Sequence, residues 1–144
     1  MVATSPTTAL KQSRVRHIPF VIPSMATGVT RYLLGTATAS TAPVLGIKGR
    51  ISRLHVTTNG GGTGDLTVNV YVLPGANTPA ADYLAMTVAI TTLSDLVGTT
   101  TTVSTALAGA EIASTDRLAV RVVAGTNSAT QTDGTILITI ETDD

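Results

Sequence analysis

Two histidines, His17 and His55, are the only ones in this 144-residue chain, and they limit the metal and nucleophilic chemistry it can perform. A site of histidine and carboxylate ligands needs both at one point, together with an acid. The chain has no cysteine, which removes thiolate ligands, disulfides and cysteine nucleophiles. A Ser-His-Asp arrangement stays open, because triads assemble from distant positions, but no Gly-x-Ser-x-Gly motif marks a nucleophile. The sequence therefore predicts no catalytic residue, no metal site and no cofactor.

A glycine-rich segment, residues 59–65, invites comparison with loops that bind phosphate or calcium. A Walker-type loop continues from its last glycine into Lys and then Ser or Thr, whereas Asp65 follows Gly64 here and repels phosphate. In repeat-type calcium loops the aspartate comes one residue later, and those loops occur in several copies. We interpret the segment as a hairpin loop.

Carbohydrate binding is the third chemistry to weigh. Sugar rings stack on exposed Trp or Tyr side chains, and the chain has three Tyr and no Trp. Thr67, Asn69 and Tyr71 alternate along one candidate strand and form its outward stripe. An ordinary solvated sheet face has the same alternation, and it is the favoured interpretation. The three residues remain the alternative prediction of a glycan-binding patch.

The composition is that of a β protein. Hydrophobic residues make up 43% of the chain, charged residues 12% and aromatic residues 3%, and 28 residues are Thr. Branched side chains such as those of Thr, Val and Ile fit a pleated sheet and lose freedom in helices. So much apolar content with so little charge argues against disorder. No run of about 18 apolar residues is present, which excludes a membrane-spanning helix.

The charge is zero overall but unevenly distributed along the chain. The first 64 residues hold seven basic residues and no acid, and the remaining 80 hold nine acids and two arginines. Either strands of the two halves interleave and their charges pair, or the protein has one basic and one acidic surface that meets a complementary partner. No basic run is interleaved with aromatic residues, so nucleic acid is not a predicted partner.

Alternation of apolar and polar residues predicts strands separated by turn signals and almost no helix. The candidate strands lie at 14–22, 30–39, 46–58, 66–73, 83–90, 99–107, 118–122 and 136–140. About eight strands favour an all-β, antiparallel, jelly-roll-like β-sandwich.

Three positions refine this prediction. Pro19 lacks an N–H donor, so its strand belongs at a sheet edge or crosses between molecules. Gly49 predicts a β-bulge within 46–58. In the strand at 83–90, alternation places Leu84 on the same face as Met86, Val88 and Ile90.

The beginning of the chain differs from the rest. Residues 1–13 have no periodicity, and we expect residues 1–16 to form an extended N-terminal arm and residues 17–144 to form a single sandwich domain.

As a whole, the chain resembles the small jelly-roll accessory proteins of tailed-phage capsids, called decoration, cement or head-fibre proteins. The resemblance lies in a β chain rich in Thr, Ala, Gly and Val, without Cys, with few aromatics and an extended N-terminal segment. Residues 110–122 also resemble the entry to the penultimate strand of many phage β-sandwiches, with Thr115-Asp116 in place of the usual Gly-Asp.

The resemblance implies a non-enzymatic virion structural protein on the capsid exterior. Such proteins usually form homotrimers, bridge neighbouring major capsid subunits and use no small-molecule substrate, membrane or nucleic acid. In this hypothesis the arm, through Ile22, pairs by strand addition with a neighbouring subunit or with the capsid. The expected capsid or subunit contacts are Lys11, Arg14, Arg16, His17, Phe20, Arg50 and Arg53. The alternative is a fibre or tail-associated module that binds a cell-surface glycan.

Overall fold

The computed structural model describes residues 14–23, 25–26, 28–36, 42–58, 66–75, 77–90, 97–102, 111–125 and 134–142. Within these residues the chain forms nine strands and one short 3-10 helix, Ala81–Tyr83. The strands are β1 (Arg14–Ile22), β2 (Thr30–Leu34), β3 (Gly49–Thr58), β4 (Leu66–Leu73), β5 (Leu84–Ile90), β6 (Val97–Thr102), β7 (Glu111–Ile112), β8 (Arg117–Ala124) and β9 (Gly134–Thr142). In this part of the chain, no helix has the length and apolar character needed to cross a membrane.

The strands form two antiparallel sheets, as predicted. One sheet has the order β1-β9-β3-β6, with the two-residue β7 also pairing with β3, and the other has the order β2-β8-β4-β5. With β7 set aside, the first strand pairs with the last, the second with the second-last, the third with β6, and β4 with β5. This is a long hairpin rolled into a sandwich, the arrangement of a jelly roll. β1 lies at a sheet edge, which confirms the prediction from Pro19.

The core lies between the two sheets and follows the alternation of the sequence. Val68, Val70 and Val72 of β4 face the core, and so do the isoleucines of β9 at positions 136, 138 and 140. Val56 and Leu54 of β3 are completely buried between them. Because successive side chains of a strand point to opposite sides, the residues between these positions lie on the outer surfaces of the sandwich.

β1 begins before the predicted domain boundary. Arg14 pairs with Thr142 and Arg16 with Ile140, so residues 14–16 belong to the sheet rather than to an arm. The fully buried Thr142 donates a hydrogen bond from Oγ1 to the carbonyl oxygen of Arg14, at 3.1 Å, which fixes the start of the strand. All of β1 pairs with β9 of its own chain, and residues 1–13, including Lys11, lie outside the described residues.

Two register shifts redirect side chains. The predicted bulge in β3 falls between Ile51 and Arg53, at Ser52 rather than at Gly49. A second shift, between β4 and β5, places Leu84 opposite Tyr71. Leu84 therefore packs against Tyr71 on the outer side, whereas Met86 faces the core. The prediction that Leu84 and Met86 share a face is wrong, because alternation is lost at a bulge.

Gly49 is required for another reason. A Cβ atom added there would lie 2.0 Å from the carbonyl oxygen of Glu141 on β9. We expect Gly49→Ala to destabilise the fold by about 2–3 kcal/mol, because the paired backbones must separate to admit the methyl group. Urea unfolding measures the loss.

Gly75→Ala is the matched control. Its φ is +63° and nothing lies within 4 Å of the added Cβ, so only the left-handed backbone is penalised, by about 1 kcal/mol. Equal losses in the two variants would contradict the proposed close approach of β3 and β9.

Candidate functional site: the outer face of β1, β9 and β3

Three of the predicted contact residues meet on the outer side of the five-stranded sheet. The register of the strands places His17 of β1 opposite Thr139 of β9, and Thr139 opposite Arg53 of β3. Val15, Glu141 and Arg50 form the adjacent row across the same strands. We call this surface the β9 face, and define it by Val15, His17, Pro19, Val21, Arg50, Ser52, Arg53, His55, Thr57, Thr135, Leu137, Thr139 and Glu141.

A groove of about 480 Å³ lies at one end of the β9 face. Its lining consists of Val15, His17, Arg50, Ser52, Arg53, Thr139 and Glu141. His17 Nδ1 and Thr139 Oγ1 are 3.1 Å apart and share a hydrogen bond. Ser52 Oγ donates a long hydrogen bond, 3.4 Å, to the Thr139 carbonyl oxygen. Two guanidinium groups, an imidazole and two hydroxyls therefore surround one opening.

The other end of the β9 face carries exposed apolar residues beside His55, Thr57 and Thr135. Val21 is 70% exposed, and Leu137, 36% exposed, lies opposite the exposed Pro19. Val15, 54% exposed, adds a methyl surface at the rim of the groove. Isolated exposed apolar residues are ordinary, but neighbouring ones on two paired strands form a patch of the kind that marks an interaction site.

The two halves of the chain interleave in this sheet. β9, from the acidic half, lies between β1 and β3 of the basic half. Arg50 consequently has Glu141 on one side and Glu111 of β7 on the other. Of the two predicted charge arrangements, the interleaved one is found in the described strands.

The other predicted contact residues that the structure describes, Arg14, Arg16 and Phe20, do not line the groove. Arg14 and Arg16 are exposed, but alternation places them on the opposite side of β1 from His17. Phe20 packs against the core beside Ile18 and Ile22. It stays partly exposed on the edge strand, so its role as a contact residue stays a prediction.

The alternative glycan patch lies on the other sheet and is not an exposed surface. Asn69 and Tyr71 point away from the main core, as predicted, but they are only 7% and 4% exposed. The Arg121 guanidinium lies over the Tyr71 ring, 5.3 Å from its centroid. Thr87 Oγ1 donates a 2.8 Å hydrogen bond to Asn69 Oδ1.

The cover over Tyr71 comes from several parts of the chain. Ala42, Leu73 and Ala119 form a second small buried cluster with it, and Leu84 packs on that cluster. A sugar ring cannot stack on a tyrosine covered in this way, so the prediction of a glycan patch at Thr67, Asn69 and Tyr71 is wrong.

Metal and phosphate sites receive no support from the described residues. No group of three His, Asp or Glu side chains close enough to hold a metal ion occurs among them. The glycine-rich loop at 59–65 lies outside them, so its interpretation stays a prediction.

Comparison with known proteins leaves the family open. No protein-family model and no curated protein matches the chain. Among solved structures, it is similar to a subunit from a study titled "Bacillus endospore appendages form a novel family of disulfide-linked pili", with 14% identity, 92% coverage of both chains and a TM-score of 0.47. It is also similar to infectious bursal disease virus VP2 from a subviral particle, with 16% identity and a TM-score of 0.42. That match covers 90% of this chain and 33% of VP2, and TM-scores this low support no functional conclusion.

Burial raises the pKa of Tyr71 above its ordinary value of 10.0, and the positive charge of Arg121 opposes the shift only in part. As the pH rises, the Tyr71 phenol therefore ionises at a lower pH in the unfolded chain than in the folded protein. The stability gained from neutral, buried Tyr71 is thus complete below about pH 10 and is lost as the pH rises through the folded-state pKa. We expect Tyr71→Phe to flatten the alkaline loss of stability, measured by urea unfolding between pH 8 and 11.

Tyr83→Phe serves as the control, since it removes a tyrosine at the margin of the same cluster and leaves Tyr71 in place. It should retain the alkaline loss of the unaltered protein. An unchanged pH profile in Tyr71→Phe would show that the phenol is not buried in solution.

Proposed function

We propose that this chain is a non-enzymatic structural protein of a virion that binds the outer capsid lattice as a decoration or cement protein. The observation that carries the proposal is the β9 face, where an exposed apolar patch adjoins a groove with two arginines. Apolar area supplies most of the affinity of a protein interface, and charge supplies its orientation and partner choice. The partner is the major capsid protein, and the chain itself acts as a homotrimer.

The structure changes the role of the arm. Residues 14–22 do not leave the domain as an arm, because β1 is paired along its whole length with β9 of its own chain; only the outer edge of β1 is left for pairing with a neighbour. In the revised proposal, only residues 1–13 reach a neighbouring subunit, with Lys11 as their basic residue. The β9 face then forms the rigid part of the interface, and β1 connects the two.

Binding to capsid shells tests the β9 face. Shells assembled from the capsid protein of the same virus are mixed with the purified chain and sedimented. We expect saturable binding, weakened at least tenfold by Val21→Asp, because a buried carboxylate replaces the most exposed valine of the apolar patch. Val44→Asp is the matched control, since Val44 is 48% exposed and lies beside Arg117, away from the face.

Equal binding by Val21→Asp and the unaltered chain would overturn the role of the β9 face. A complete absence of binding to the shells would overturn the capsid proposal itself.

Deletion of residues 1–13 should weaken binding to the shells, while the circular dichroism spectrum stays that of a β protein. Light scattering of the free chain tests the trimer, which has three times the 14.6 kDa mass of one subunit.

A further inference from the structure

We propose that the groove of the β9 face is a carboxylate-binding site and that Arg53 is its anchor. The ligand is an Asp or Glu side chain on the surface of a partner protein. The binding chemistry belongs to the isolated chain, and only the identification of that partner with a capsid surface rests on the proposed function.

The bulge at Ser52 creates the arrangement. In a regular strand, residues three apart point to opposite sides, so Arg50 and Arg53 would not face the same way. The register shift at Ser52 adds one residue, and both arginines consequently line the same groove. Bulges commonly redirect a side chain in this manner next to functional sites.

The two arginines differ in their charged neighbours. Directly opposed residues of an antiparallel pair have Cβ atoms about 4.5–5.5 Å apart. Arg50 is opposed by Glu141 on β9 and by Glu111 on β7, so two carboxylates of its own chain lower the positive potential around it. Arg53 is opposed by Thr139 and Thr102, neither of which carries a charge. Arg53 therefore carries the uncompensated positive charge of the groove.

The rest of the lining selects the type of anion. A guanidinium presents a planar fork that fits a carboxylate with two parallel hydrogen bonds. The Thr139 hydroxyl lies beside it and can donate to the ligand when His17 Nδ1–H donates to Thr139 Oγ1, whereas the Ser52 hydroxyl already donates to the Thr139 carbonyl oxygen. Glu141 lowers the charge of the groove to about +1, which suits a single carboxylate and opposes a phosphate dianion.

Val15 favours a protein ligand over a free ion. It is 54% exposed at the groove and offers methyl groups to the aliphatic part of an incoming Asp or Glu side chain. Small anions gain nothing from this contact, whereas an amino-acid side chain buries apolar area there.

Titration of the isolated chain, followed by amide NMR shifts, tests the site. The probes are N-acetylglutamate amide, which carries one side-chain carboxylate, and inorganic phosphate. We expect saturable shifts at Ser52 and Thr139 with the glutamate probe and weaker binding of phosphate. Arg53→Gln should lower the affinity for the probe about tenfold, Arg50→Gln should lower it less, and Glu141→Gln should raise it.

Arg31→Gln is the control for general charge effects, because Arg31 is exposed on β2 of the other sheet and should leave the affinity unchanged. Equal losses in Arg31→Gln and Arg53→Gln, or tighter binding of phosphate than of the glutamate probe, would overturn the carboxylate site. If the chain binds the glutamate probe but does not bind capsid shells, only the proposed function is overturned. If Arg53→Gln leaves binding to the shells unchanged and the isolated chain does not bind the glutamate probe, only the carboxylate site is overturned.

Discussion

The pairing of β9 with β1 on one side and β3 on the other is the constraint on which the rest of the structure depends. Ile136, Ile138 and Ile140 are buried in the core, and the residues between them occupy the middle of the β9 face. A shift of one residue in this register would expose the isoleucines and bury Glu141. The hydrophobic pattern that stabilises the core therefore also fixes which side chains the outer surface presents.

Three register shifts interrupt the described strands, and two of them, in β3 and between β4 and β5, have opposite consequences. In β3, the extra residue Ser52 directs Arg53 outward and brings it beside Thr139 and His17. Between β4 and β5, the shift directs Leu84 onto Tyr71 and closes the surface there. One irregularity assembles a polar groove and the other completes a second small core.

Much of the fold could be predicted from local pattern. The alternation in β4 and β9 predicts which of their faces is buried, and the missing N–H donor of Pro19 predicts that β1 lies at a sheet edge. The bulge in β3 was predicted from Gly49, yet that glycine is needed for the close approach of Glu141 and the bulge lies elsewhere. A pattern of apolar residues shows that a register changes, but backbone pairing decides where.

The errors share a physical cause, which is that burial depends on contacts between distant segments. Alternation correctly turned Tyr71 away from the main core, but Ala42, from a different part of the chain, belongs to the cluster that buries it. Residues 14–16 have no apolar pattern, so only their backbone pairing with β9 shows that they belong to the sheet.

The two outer surfaces of the sandwich consequently differ in what they can do. The four-stranded sheet buries Tyr71, Leu73 and Ala119 beneath a second layer, which contributes stability and leaves little of that region for a partner. The five-stranded sheet leaves Val21 and Leu137 in contact with solvent, at a cost in hydration free energy that folding does not recover. In the proposed interface, a partner that covers the patch recovers that cost. Because the groove lies on the same face, such a partner would also bring its charged groups to Arg53, so apolar burial and charge recognition would act in a single docking event.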